Sequence, residues 1–156
     1  MATSITDIQI ADRGVYRRSL AAFIQKVTDV PKVVLPYMPA VTKLQSPMMS
    51  VTGAPTDRKR DTSKGYQNSF AFGLRLITLY SKDGEEWTPE QAEDMLDRLE
   101  REASIALLLA DMQSAAQKWL SVSRQGASTF DMLKDSGAYW LTETIPVIME
   151  VDDAQE

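Results

Sequence analysis

The feature that most constrains this chain is the stretch from Trp87 to Lys118, whose spacing predicts a helix with a single apolar stripe. After Ala110 that helix either continues to Lys118 or breaks near Asp111 and restarts. Thr88 is placed to cap it, Pro89 stands where a missing N–H costs nothing, and Gln91 completes a T-x-x-Q capping box. Glu85, Glu86 and Glu90 put negative charge at the positive end of the helix dipole. Ala92, Met95, Leu96, Leu99, Ala103 and Ala106 recur at three- and four-residue steps. Glu93, Asp94, Asp97, Arg98, Glu100, Arg101 and Glu102 take the other face. A helix with one buried stripe needs a sheet to lie on, and strand candidates stand on both sides of it.

The clearest strand runs from Gln67 to Tyr80. Phe70, Phe72, Leu74, Leu76 and Tyr80 face one way, and Ala71, Gly73, Arg75, Ile77 and Leu79 the other. Ser81-Lys82-Asp83-Gly84 is a turn signal leading to the helix. A second alternating run spans Tyr139 to Val151, where Pro146 predicts an edge strand or a bulge. Trp119 to Ser123 reads as a short strand, and Arg124 to Gly137 as a polar loop. Upstream, residues 1–12 read as an arm. A helix is expected from Asp12, with Val15, Leu20, Phe23, Ile24 and Val27 inward and Arg13, Arg17, Arg18 and Lys26 outward, ending no later than Pro31. Prolines at 31, 36, 39, 47 and 55 argue for an irregular connection with brief strands at Lys32–Leu35 and Met48–Val51. Gly53 to Tyr66 reads as a long exposed basic loop, and Asp152–Glu156 as a solvated acidic tail. The expected fold is α+β, a single two-layer domain over 1–156. Its mostly antiparallel sheet carries one long helix and an N-terminal helix.

Composition bounds the chemistry. A chain of 156 residues with 44% hydrophobic and 25% charged residues is that of an ordinary globular domain. No apolar run approaches a membrane span, and the N-terminus carries no evident secretory signal. With no cysteine there is no disulfide or thiolate chemistry. With no histidine, Ser-His-Asp, Cys-His and His-zinc sites are excluded within this chain. A net charge of −5 argues against general nucleic-acid binding, and no glycine-rich phosphate loop occurs.

Four sets of side chains invite function. Glu93, Asp97 and Glu100, at i, i+4 and i+7, would line one helix side as a carboxylate site; a solvated face supported by Arg98 and Arg101 is the better reading. Arg58, Lys59 and Arg60, with Lys64, suit phosphate or an acidic protein surface. The protein is preferred because the whole-molecule field is negative, with a merely solvated loop as the plain alternative. Arg75 is an interface residue or part of a core-flanking salt bridge. Trp140, beside Tyr139, suits a subunit interface or a second small hydrophobic layer. Met48, Met49, Met95, Met112 and Met132 are expected to fill core gaps, with a partner surface as the lesser alternative, and Trp87 to pack over the helix start. No catalytic, cofactor-binding or metal-ligating residue is assigned, and no cofactor is expected.

The residues Phe70-Ala-Phe-Gly-Leu-Arg-Leu-Ile77, Ala92-Glu-Asp-Met-Leu-Asp-Arg-Leu-Glu100 and Ala138-Tyr-Trp-Leu-Thr-Glu-Thr-Ile-Pro-Val-Ile-Met-Glu150 together resemble the tail terminator proteins of long-tailed bacteriophages. The resemblance covers roughly the last ninety residues and is one of order and texture rather than a diagnostic motif. It implies a homohexameric ring that caps the tail tube and meets the head connector. It also implies a virion tail component assembled in the host cytoplasm, with no catalytic residues, cofactor, specific nucleic acid or membrane. The partners implied are further copies of the chain, the tail tube protein and the head–tail connector protein. The proline-rich stretch 30–55 departs from that pattern and keeps open a neck or connector role, or that of a small non-viral adaptor.

Overall fold

The computed structural model describes residues 9–60, 65–82, 89–135 and 137–153. Asp12 starts the first helix, α1 (Arg13–Val27), its carboxylate accepting from the Gly14 N–H at 2.8 Å. Leu20, Ala21, Phe23 and Ile24 are buried, whereas Val15, expected inward, is 47% exposed. The remaining elements in chain order are β1 (Val34–Leu35), a 3₁₀ turn at Val41–Lys43, β2 (Met48–Arg60) and β3 (Tyr66–Lys82). Then follow α2 (Pro89–Met112), α3 (Ser114–Gln117), β4 (Ser121–Arg124), β5 (Thr129–Asp135) and β6 (Ala138–Asp152).

The sheet has the order β1-β2-β3-β6-β4, with β5 also pairing β6, and every pairing but β1 with β2 is antiparallel. Both helices lie on one face. The fold is thus the expected α+β arrangement of a long helix and an N-terminal helix on a mostly antiparallel sheet. In α2, Ala92, Leu96, Leu99, Ala103 and Ala106 are buried as the stripe required, and Met95 is half-buried. From Ala103 the stripe is Ala103, Ala106, Leu107 and Ala110, and the buried Trp119 packs near its end. Its indole N–H donates to the Ala110 carbonyl at 2.9 Å, and its ring meets Phe23 edge-on. The helix is not continuous to Lys118: α2 ends at Met112, and Lys118 ends α3 with φ of 66°. Thr88 and Trp87, expected as cap and staple, lie outside the described residues.

Three expectations about strands are corrected. Gly53 to Tyr66 is not a loop throughout: β2 continues to Arg60 and pairs with β3 as far as Tyr66, forming a long hairpin arm. Pro55 sits where that register shifts between Gly53 and Thr56, and β1 pairs only with Met49 and Ser50, so the arm's outer edge needs no donor there. Arg124 to Gly137 is not a loop either, because Thr129–Asp135 forms β5. Finally, β6 is a central strand despite Pro146. The Pro146 carbonyl accepts from Gln125 N–H, so the proline's missing donor faces the gap between β4, which pairs 147–150, and β5, which pairs 138–144.

The opposite sheet face holds a smaller cluster of Leu44, Met48 and Ile77, with Val41, Leu133 and Trp140 packed against it. Tyr139 is 38% exposed on the helix side, under the Lys134 ammonium.

Candidate functional site

The sequence-derived candidates divide by the two-residue period of their strands. Arg58 and Arg60 share the helix-side face of β2, whereas Lys59 points to the other face and is exposed. Lys64 lies outside the described residues. Arg58 is half-buried: its guanidinium donates to Asn68 Oδ1 at 3.0 Å and lies 5.3 Å from the Phe70 ring centroid. Arg75 is on the far face, paired across the sheet with Ser50 and Thr144, and its buried Nε has no partner among the described residues. Trp140 belongs to the smaller cluster. The fold therefore joins Arg58 to Arg60 but leaves Arg75 and Trp140 on the other side of the sheet.

What the fold adds to the arm is the start of α1. Arg13 donates to Thr56 Oγ1 at 3.0 Å and to the Ala54 carbonyl at 3.3 Å. Arg17 donates to the Pro36 carbonyl at 2.7 Å. Arg13, Arg17 and Arg58 line an open groove of about 610 Å³ between α1 and the arm. Arg58 follows Arg17 by 41 residues in sequence, so no local pattern joins it to the two arginines of α1.

Beneath the groove lies Asp153, expected in a solvated tail but only 5% exposed. Its carboxylate accepts from the Ala11 N–H and the Asn68 amide, both at 2.9 Å, and from the Tyr66 N–H. Burial alone would raise its pKa. The three hydrogen bonds and the nearby Arg58 charge outweigh that and hold it below the usual carboxylate range. Tyr16, tilted against Phe70, has its phenol pKa raised by burial and by the Asp153 charge. Gly65 closes over the same carboxylate, and a Cβ there would collide with it. Asp153 thus ties the lead-in to α1, the turn end of the arm and the end of β6 together.

The acidic residues of α2 do not converge. Glu93 and Asp97 are exposed, and Glu100 pairs with Arg124 at 2.7 Å. Glu102 accepts from the N–H groups of Asp29 and Val30, holding the end of α1. Among the described residues no group of three or more acidic side chains is placed to hold a metal ion.

A second surface was not legible from the helix stripe. Ile105, Leu108 and Met112, at i, i+3 and i+7, are 43%, 62% and 73% exposed. Leu108 lines a shallow groove with Leu107, Val122 and Arg124. Beyond α2, Leu120 on the approach to β4 and Phe130 on β5 are also exposed. The signal was present in the sequence as a second apolar row offset from the first.

No helix among the described residues is long and apolar enough to cross a membrane. Compared with known protein families the chain matches none, and no curated protein sequence matches it significantly.

Proposed function

We propose that this chain is a structural subunit that works by assembling with copies of itself, in the manner of a phage tail terminator. In that role a ring of subunits, six in number, caps a tail tube and meets the head connector. The observation that carries the self-assembly is the apolar row Ile105, Leu108 and Met112 on α2, left open to water. Exposed apolar rows of this kind are costly to leave wet and mark protein contacts. The tail context rests on the likeness in texture of the β3, α2 and β6 segments to terminator proteins. The absence of histidine and cysteine from the sequence agrees with a role that asks for shape rather than proton transfer. The related alternative is a neck or connector subunit, which would use the same surface against a different ring.

The test has two arms. Sedimentation and negative-stain imaging of the purified protein, alone and with tail tubes, should reveal rings that seat on tube ends. Leu108→Asp with Met112→Asp should keep the melting behaviour of the parent, since both sites are exposed, yet lose the ring. A double variant that assembles normally would remove this surface from the contact. Rings that never engage tube ends would remove the tail role.

A further inference from the structure

The charges on the helix-side face are sorted toward opposite ends of the sheet. At the end near Asn68 stand Arg58 and Arg60, with Arg13 beside Thr56, Arg17 across the same groove and Arg18 next to it on α1. Among the described residues, Asp12 caps α1 and Asp153 is buried among its donors, while Asp57 lies on the other face of β2. At the other end the first turns of α2 start beside Thr78, whose hydroxyl meets the Ala92 carbonyl. There Glu90, Glu93, Asp94 and Asp97 are all exposed, against Arg98 and Arg101. Asn68 and Thr78 are separated along β3 by roughly 30 Å at ~3.3 Å per residue. That is several times the screening length at physiological salt, so the two patches cannot satisfy each other within one molecule. Among the described residues neither patch forms an ion pair, and the pair that does form, Arg124–Glu100, belongs to neither.

We infer that the arginine patch of α1 and the β2 arm docks on the acidic first turns of α2 of a second copy, as a head-to-tail contact. This rests on the self-assembly reading above and specifies its geometry. A two-fold contact through either patch would set like charges against each other, which is repulsive. Pairing one patch with the other in a single contact is heterologous and generates a ring when the rotation between neighbours closes. A two-fold pairing of both patches at once instead stops at a dimer, which sedimentation tells apart. Each subunit then gives one basic and one acidic surface, and Arg13 and Arg60 stand on the exposed rim of the basic one.

Charge reversal on both sides tests this. Arg13→Glu with Arg60→Glu makes both ends acidic, and Glu93→Lys with Asp97→Lys makes both ends basic; all four positions are exposed. At low ionic strength each variant alone should self-associate at least about tenfold more weakly than the parent, and a mixture should recover association at strict one-to-one stoichiometry. If Arg13→Glu disturbs the arm, as a shifted melting curve would reveal, Arg18→Glu with Arg60→Glu carries the same reversal. A parent chain that stays monomeric at low salt overturns the contact. So do reversed variants that associate as the parent does, or a mixture that stays apart. In the second case ring assembly stands and only the charged contact falls; capping of tail tubes is read separately and fails independently.

Discussion

Asp153 is the residue on which most separate parts of the fold converge. Replacing it by alanine leaves the N–H groups of Ala11 and Tyr66 and the Asn68 amide without their acceptor. The expected cost is about 2–4 kcal/mol, read as a shift in the urea midpoint at neutral pH. The pH dependence has a definite sign. A carboxyl whose pKa is lowered by folding adds stability that is fully present above the ordinary carboxylate range and is lost as pH falls through the depressed folded value. The gap in stability between the parent and Asp153→Asn should therefore narrow in acid, and a gap that stays constant from neutral pH to well below the carboxylate range would contradict it. Nothing in the sequence marks this residue. It stands in an acidic tail, and its partners lie 142, 87 and 85 positions away. Asp12, by contrast, was legible as a cap because its partner Gly14 is two residues on.

At the scale of elements, α2 was readable because a 3.6-residue period over several turns leaves little choice of buried face. Leu99 lies at the centre of that face with no exposed surface. Leu99→Ala should cost about 2–5 kcal/mol, and Leu99→Asp should abolish the cooperative melting transition, because an unpaired charge would enter the core. Cooperative melting of the aspartate variant near the parent's midpoint would mean that the helix buries a different face. The arm of β2 and the whole of β5 were not readable, for a shared reason. Strand periodicity is visible when one face is covered and the other wet. Beyond Gly53 the arm alternates between half-buried and exposed positions without an apolar side. In β5, Phe130 and Met132 are exposed on one face while Leu133 packs on the other. Prolines misled in the same region: Pro55 and Pro146 each fall where a ladder donor is not needed, which depends on what the neighbouring strands do.

For the whole molecule, the two surfaces proposed for assembly respond differently to salt. Contact through the charged ends should weaken as ionic strength rises past the point where the screening length drops below about 8 Å, whereas contact through Ile105, Leu108 and Met112 should not. Self-association measured by sedimentation at low and high salt is expected to fall for the parent. In the Glu93→Lys, Asp97→Lys variant, salt should instead relieve repulsion and leave the apolar contact to act. A parent whose association is indifferent to salt would assign the contact to the apolar row alone. What the sequence determined by itself was the fold class, the buried face of α2, the start of α1, the two longest strands and the absence of histidine and cysteine chemistry. Those follow from local periodicity, local capping and composition. Tertiary structure alone decided that Arg13 and Arg17 join Arg58, that Asp153 is buried beneath them, and that the acidic turns of α2 stand at the far end of the sheet. Such placements depend on strand order and register, in which residues distant along the chain become neighbours, and no local pattern encodes that.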